Sequence, residues 1–153
     1  MENNNTNTIA NIVNKAAQQW VAYEDDYNVV TWYRTKRFGD QWCIVMVTNY
    51  EGEYQVDICI SSLEEIVEYT HGLPENLPDI SFMEEVKGKA GIKFLLWARK
   101  LIIDLKNNPP YREWIPEVII LSPSDSKRKQ AYRYLQRDKF FWEEETEAYI
   151  WRR

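Results

Sequence analysis

The residues best suited to chemistry lie in the middle of the chain. Glu84-Glu85-Val86 runs into Lys87-Gly88-Lys89-Ala90-Gly91, and Lys93 stands two residues further on. Hydrophobic patterning predicts a strand over Ile80–Val86 and a helix over Ile92–Lys106 on either side of this turn. At a strand-to-helix junction the first backbone N–H groups of the helix have no partner and sit at the positive end of its dipole. Gly88 and Gly91 let an anion approach the backbone closely, and the lysines add charge, so Val86, Lys87, Gly88, Lys89, Ala90 and Gly91 are candidates for holding a phosphate or diphosphate. The residues also suit a plain solvated basic turn, because neither the P-loop nor the dinucleotide glycine spacing is present.

A second basic group lies downstream. Ser122, Ser124, Asp125 and Ser126 offer N-caps for a helix reaching about Lys139. That stretch carries Lys127, Arg128, Lys129, Arg133, Arg137 and Lys139 against a single acid, Asp138. It suits either a solvated, ion-paired helix face or a surface that meets phosphates, in a protein or nucleic-acid partner. Tyr111, Trp114, Phe141 and Trp142, in or beside loops, could add aromatic contacts to such a surface.

Other chemistries lack their residues. His71 is the only histidine, which removes two-histidine metal sites and leaves a nucleophilic relay without a base. Cys43 and Cys59 match no metal-ligand spacing. They are expected about opposite each other in a hairpin, as small buried hydrophobes. No metal is expected.

These groups need a scaffold, and 153 residues suffice for one domain with its own core. The expected organisation is an Asn/Thr-rich disordered tail over residues 1–7 and a single α/β domain over 8–153. Helix periodicity runs from Thr8 to Tyr23, with Ile9, Ile12, Val13, Ala16, Ala17 and Trp20 on one stripe. Strands follow at Val29–Tyr33, Gln41–Thr48 and Tyr54–Ile60, with Gly39 and Gly52 at the turns. Gln41–Thr48 is apolar on both alternating faces and so belongs centrally in the sheet. Ser62 and Glu65 have the capping-box spacing for a short helix ending at His71-Gly72, and Gly72–Asp79 reads as a rigid loop or crossover. Strands at Glu117–Leu121 and Thr146–Trp151 complete a mixed, mostly antiparallel sheet flanked by helices.

The apolar fraction of 44% excludes a disordered chain. Arg99, Lys100 and Asp104 interrupt the richest apolar stretch, and no secretion-signal pattern opens the chain, so a cytoplasmic protein with no membrane partner is expected.

In residues 80–151 the order of strand, basic Gly-containing loop, long helix, strand, helix and strand resembles the GCN5-related N-acetyltransferase family. The resemblance covers the second half of the chain. It implies an acetyltransferase-like fold in which the loop at 86–91 binds the pyrophosphate of acetyl-CoA, with Lys127 or Arg128 meeting its phosphates. In the run Ala131-Tyr132-Arg133-Tyr134-Leu135 it implies that Tyr132, followed three residues on by Leu135, protonates the departing CoA thiolate, with Tyr134 its neighbour and competitor. Glu84 or Glu85 would take the proton from an attacking amine, of a small molecule or a protein. If the two are on a strand, only one of them faces the cleft. The alternative is a non-catalytic relative of that fold, which binds a partner through the basic helix at 126–139 and exposed aromatics.

Overall fold

The structure is a computed structural model that describes residues 4–83, 91–123, 129 and 132–153. A mixed sheet of seven strands forms its centre, in the order β1-β2-β3-β4-β5-β7-β6. Its strands are β1 (Val21–Glu24), β2 (Val30–Phe38), β3 (Gln41–Tyr50), β4 (Glu53–Ser62), β5 (Val118–Leu121), β6 (Phe141–Glu143) and β7 (Ala148–Arg152). Every neighbouring pair is antiparallel except β4 and β5, which run parallel. A parallel pair needs a long crossover. Here it contains helix α2 (Leu63–Thr70), a 3-10 helix (Pro74–Phe82) and helix α3 (Gly91–Asp104).

The sheet separates two cores. On one side α1 (Asn4–Ala16), α2 and the first 3-10 helix cover Tyr33, Trp42, Ile44, Met46 and Cys59. On the other, α3 covers Cys43, Val45, Val47, Val56, Ile58 and Ile60. β3 thus buries both of its alternating sets, as its sequence implied. Its neighbours on either side are β2 and β4.

The β3–β4 hairpin turns on Glu51 and Gly52, both at positive φ (54° and 91°). Two such residues make the turn whose twist matches paired strands, and glycine bears the more extreme φ without strain. The Asn49 side chain accepts a hydrogen bond from the Gly52 N–H at 2.9 Å. The pairing therefore starts at Tyr50 and Glu53 and sets Cys43 against Ile60, with Cys59 against Ile44. Cys43 and Cys59 are thus one residue out of register. They lie in opposite cores, which corrects the expectation that they face each other.

α2 begins as its sequence indicates. The Ser62 hydroxyl accepts from the Glu65 N–H at 3.2 Å and donates to the Glu65 carboxylate at 2.9 Å. The helix ends on His71 in the left-handed conformation (φ 54°), with the Gly72 N–H returned to the Val67 carbonyl at 3.0 Å. His71 is exposed and serves as this helix end.

Three expected elements differ. α1 stops at Ala16 rather than Tyr23, and its last turn tightens through Ala17 N–H to Asn14 and Gln18 N–H to Lys15. Val21 and Tyr23 then pair with Tyr33 and Thr31 as an edge strand, and Trp20 packs with the core opposite the one that α1 covers. Here pairing with β2 outweighs helical periodicity. Gly72–Asp79 and the first part of the expected strand Ile80–Val86 instead form the 3-10 helix Pro74–Phe82. Leu77 and Ile80, three apart, both bury fully in the core that α1 and α2 cover, and three is the repeat of this helix. Finally, the helix expected to reach Lys139 ends as a 3-10 helix, Arg133–Asp138, closed by Lys139 at φ 66°.

Tyr33 is 1% exposed, and its hydroxyl has no hydrogen-bond partner among the described residues. Burial also raises its pKa, so the phenol is neutral. A buried hydroxyl without a partner forfeits its bonds to water. Tyr33→Phe is therefore expected to stabilise the fold by about 1 kcal/mol in urea unfolding. Destabilisation by a similar amount would show that the hydroxyl is satisfied.

Candidate active site at the end of the parallel strands

β5 ends at Leu121, opposite Val56, while β4 continues to Ser62. A crevice of about 410 Å³ opens where β5 stops. In open sheets with parallel strands, ligand sites form beyond the carboxyl ends of those strands, where the strand order changes direction. Here the crevice lies at the carboxyl end of β5, in the one parallel pair, while the strand order itself reverses further along, at β7 and β6.

Each wall follows from local structure. Ile58 lies on the same face of β4 as Val56 and Ile60. α3 and the turn that ends it dock through Phe94, Ala98, Ile102 and Leu105, all at most 1% exposed, at helical spacing. Phe94 meets Phe38 edge to face at 4.8 Å. This turns Leu95, Leu96 and Arg99 toward the crevice, and Leu96 is 55% exposed. The third wall carries Tyr132, Tyr134 and Leu135.

That third wall is tied to α3 and to the sheet. The Arg99 guanidinium donates to the Asp138 carboxylate at 3.0 Å, and the Lys106 ammonium donates to the Asp138 carbonyl at 2.5 Å. Lys106 also lies over the rings of Phe140 and Trp151, at 5.1 and 5.2 Å. Burial lowers its pKa, and the negative charge of Asp138 works against that shift. Upstream, the Tyr149 hydroxyl donates to the Lys129 carbonyl at 3.1 Å, and the Lys129 ammonium sits 4.0 Å above Trp142. Tyr132 lies between these two ties, 5% exposed.

Of the residues singled out in the sequence, Tyr132 and Tyr134 both reach the crevice. Tyr132 is in the wall, and Tyr134, 64% exposed with Arg137 over its ring, is at the lip. Gly91 is the first residue of α3, and Lys93 is exposed on it. Glu84, Glu85, Val86, Lys87, Gly88, Lys89, Ala90, Lys127 and Arg128 lie outside the described residues. The strand expected to lead into the loop at 86–91 is helical at Ile80–Phe82. The parallel strand preceding the α3 crossover is β4 instead, far earlier in the chain.

Sequence reasoning missed Ile58, Leu95, Leu96, Arg99, Ile102, Leu121 and Asp138. Two of these left a signal: Arg99 is a lone guanidinium among apolar neighbours on α3, and Asp138 is the lone acid of a basic run. A charge in an apolar setting calls for a partner of opposite sign. No cluster of acidic, histidine or cysteine side chains able to hold a metal occurs among the described residues. None of their helices is long and apolar enough to cross a membrane.

No protein-family model, curated protein or solved structure matches the chain.

Proposed function

We propose that the crevice receives the thioester of an acyl-CoA and that the protein transfers the acyl group to an amine, acetyl being the group that the family resemblance implies. One observation carries the reading: an apolar crevice at the carboxyl end of the parallel pair β4/β5, with Tyr132 in its wall. In this reaction the amine nitrogen bonds to the thioester carbonyl carbon and the carbon–sulfur bond breaks. Tyr132 gives its phenolic proton to the departing sulfur as general acid. Glu84 or Glu85 accepts the proton lost by the amine, and solvent exchange restores both groups. The low polarity of the walls excludes water and with it competing hydrolysis.

Titration with acetyl-CoA tests the reading. At a hundredfold excess over Kd, the folded state gains about 2.7 kcal/mol, which raises the melting temperature by roughly 5–10 °C in a chain of this size. An unchanged melting temperature at millimolar acetyl-CoA would rule the reading out.

A second reading is the non-catalytic binding module. Arg133, Arg137 and Lys139 favour it, being exposed and in no ion pair among the described residues. Tyr111, Trp114 and Phe141 are also 40%, 41% and 62% exposed, whereas Trp142 packs against Tyr149. Binding to an oligonucleotide that weakens steeply with salt, without any response to acetyl-CoA, would put this reading first.

A further inference from the structure

The crevice far exceeds an acetyl group in size, and the walls formed by its described residues are mostly hydrocarbon, apart from Arg99 and the hydroxyls of Tyr132 and Tyr134. Ile58, Leu95, Ile102, Leu121 and Leu135 contribute only apolar atoms, and the guanidinium of Arg99 is engaged by Asp138. At roughly 30 Å³ per water-sized group, the volume of about 410 Å³ holds about a dozen methylenes. A polar guest would give up its hydrogen bonds to water against such walls, whereas a hydrocarbon chain has none to lose.

The mouth has the opposite character. Leu96 and Tyr134 form apolar lips, and cations stand around them. Lys93 and Lys100 flank Leu96 on α3, three residues before and four after, so all three share one face of the helix. Arg133 and Arg137 flank Tyr134. This grouping of cations occurs on a chain whose net charge is −5. A hydrocarbon interior below a cationic rim matches a ligand with a long apolar tail and an anionic head.

We infer that the acyl group is a chain of about eight to twelve carbons lying in the crevice, with the coenzyme phosphates among the cations at its mouth. This rests on the acyl-transfer reading and names the substrate class of that site.

The test is a binding series on the whole protein with CoA, acetyl-, butyryl-, octanoyl- and dodecanoyl-CoA, and octanoate, all below micelle-forming concentrations. Each buried methylene is expected to tighten binding roughly two- to fourfold, which makes octanoyl-CoA about a hundredfold tighter than acetyl-CoA or more. The gain should stop near twelve carbons, and octanoate alone should bind far more weakly than its thioester. Equal affinity for acetyl- and octanoyl-CoA would overturn the inference while leaving acyl transfer standing. So would a gain that never levels off, or octanoate binding as tightly as octanoyl-CoA. If no CoA species binds, both readings fall together. Leu95→Phe, which adds volume to one wall, should move the plateau to shorter chains; a plateau left in place in the folded variant would also overturn the inference. If that variant fails to fold, the wild-type series decides alone.

Discussion

Phe94→Ala is expected to destabilise the protein by about 3–5 kcal/mol, the range for removing a large aromatic from a closed core. Phe94 is fully buried in the α3 face that meets the sheet, edge-on to Phe38 at 4.8 Å. Its loss removes a transfer contribution and leaves a cavity between α3 and the strands, which cannot close without moving the helix. The same helix supplies Leu95, Leu96, Arg99 and Ile102 to the crevice, so binding there should weaken along with stability. Urea unfolding checks the first part, through a lower midpoint at unchanged slope. A loss under about 1 kcal/mol would mean that α3 is not held through this residue.

Tyr132→Phe is the functional counterpart. Because Tyr132 is the proposed acid for the leaving sulfur, its replacement should lower kcat for acyl transfer by about a hundredfold or more. Thioester affinity should change little, since the ring stays in the wall and only the hydroxyl is lost. That split separates an acid from a packing residue, whose loss would lower stability and affinity together. Tyr134→Phe, altered at the exposed lip, should leave kcat near its original value. An unchanged rate in Tyr132→Phe, or a loss in Tyr134→Phe instead, would reassign the acid.

Legibility in the sequence followed the range of the interaction. Features set within a few residues could be read directly: the Ser62–Glu65 cap, the helix stop at His71 and a turn at Gly52, although not its two-residue length, which shifts the Cys43 and Cys59 register by one. The burial of both faces of β3 was also legible, because a strand apolar on both alternating sets has no stable place except between two covering layers. The mixed α/β architecture followed from these elements. Features that depend on distant partners were not legible. Val21–Glu24 has the composition to extend a helix, and it becomes a strand because β2 is there to pair with it. Ile80-Ser81-Phe82 alternates like a strand, but Leu77 and Ile80 find their core by coiling at three residues per turn.

The site shows the same division. Tyr132 was named only through the family resemblance of its run, and it lies in the crevice wall. The crevice itself arises because β5 is shorter than β4, and chain length in one strand carries no information about the strand it will join. The expected strand failed over Ile80–Phe82, its described start, for a related reason. The parallel partner of β5 precedes α3 by an intervening helix and a 3-10 helix, a separation that local order alone does not reveal.

The most direct test of the central claim follows an acyl-CoA titration at the methyl groups of the protein by NMR. Saturable shifts are expected at Ile58, Leu95, Ile102, Leu121 and Leu135 with a common Kd, while Val13 and Ile66, in the core across the sheet, stay in place. Shifts confined to other residues, or none at millimolar ligand, would contradict it.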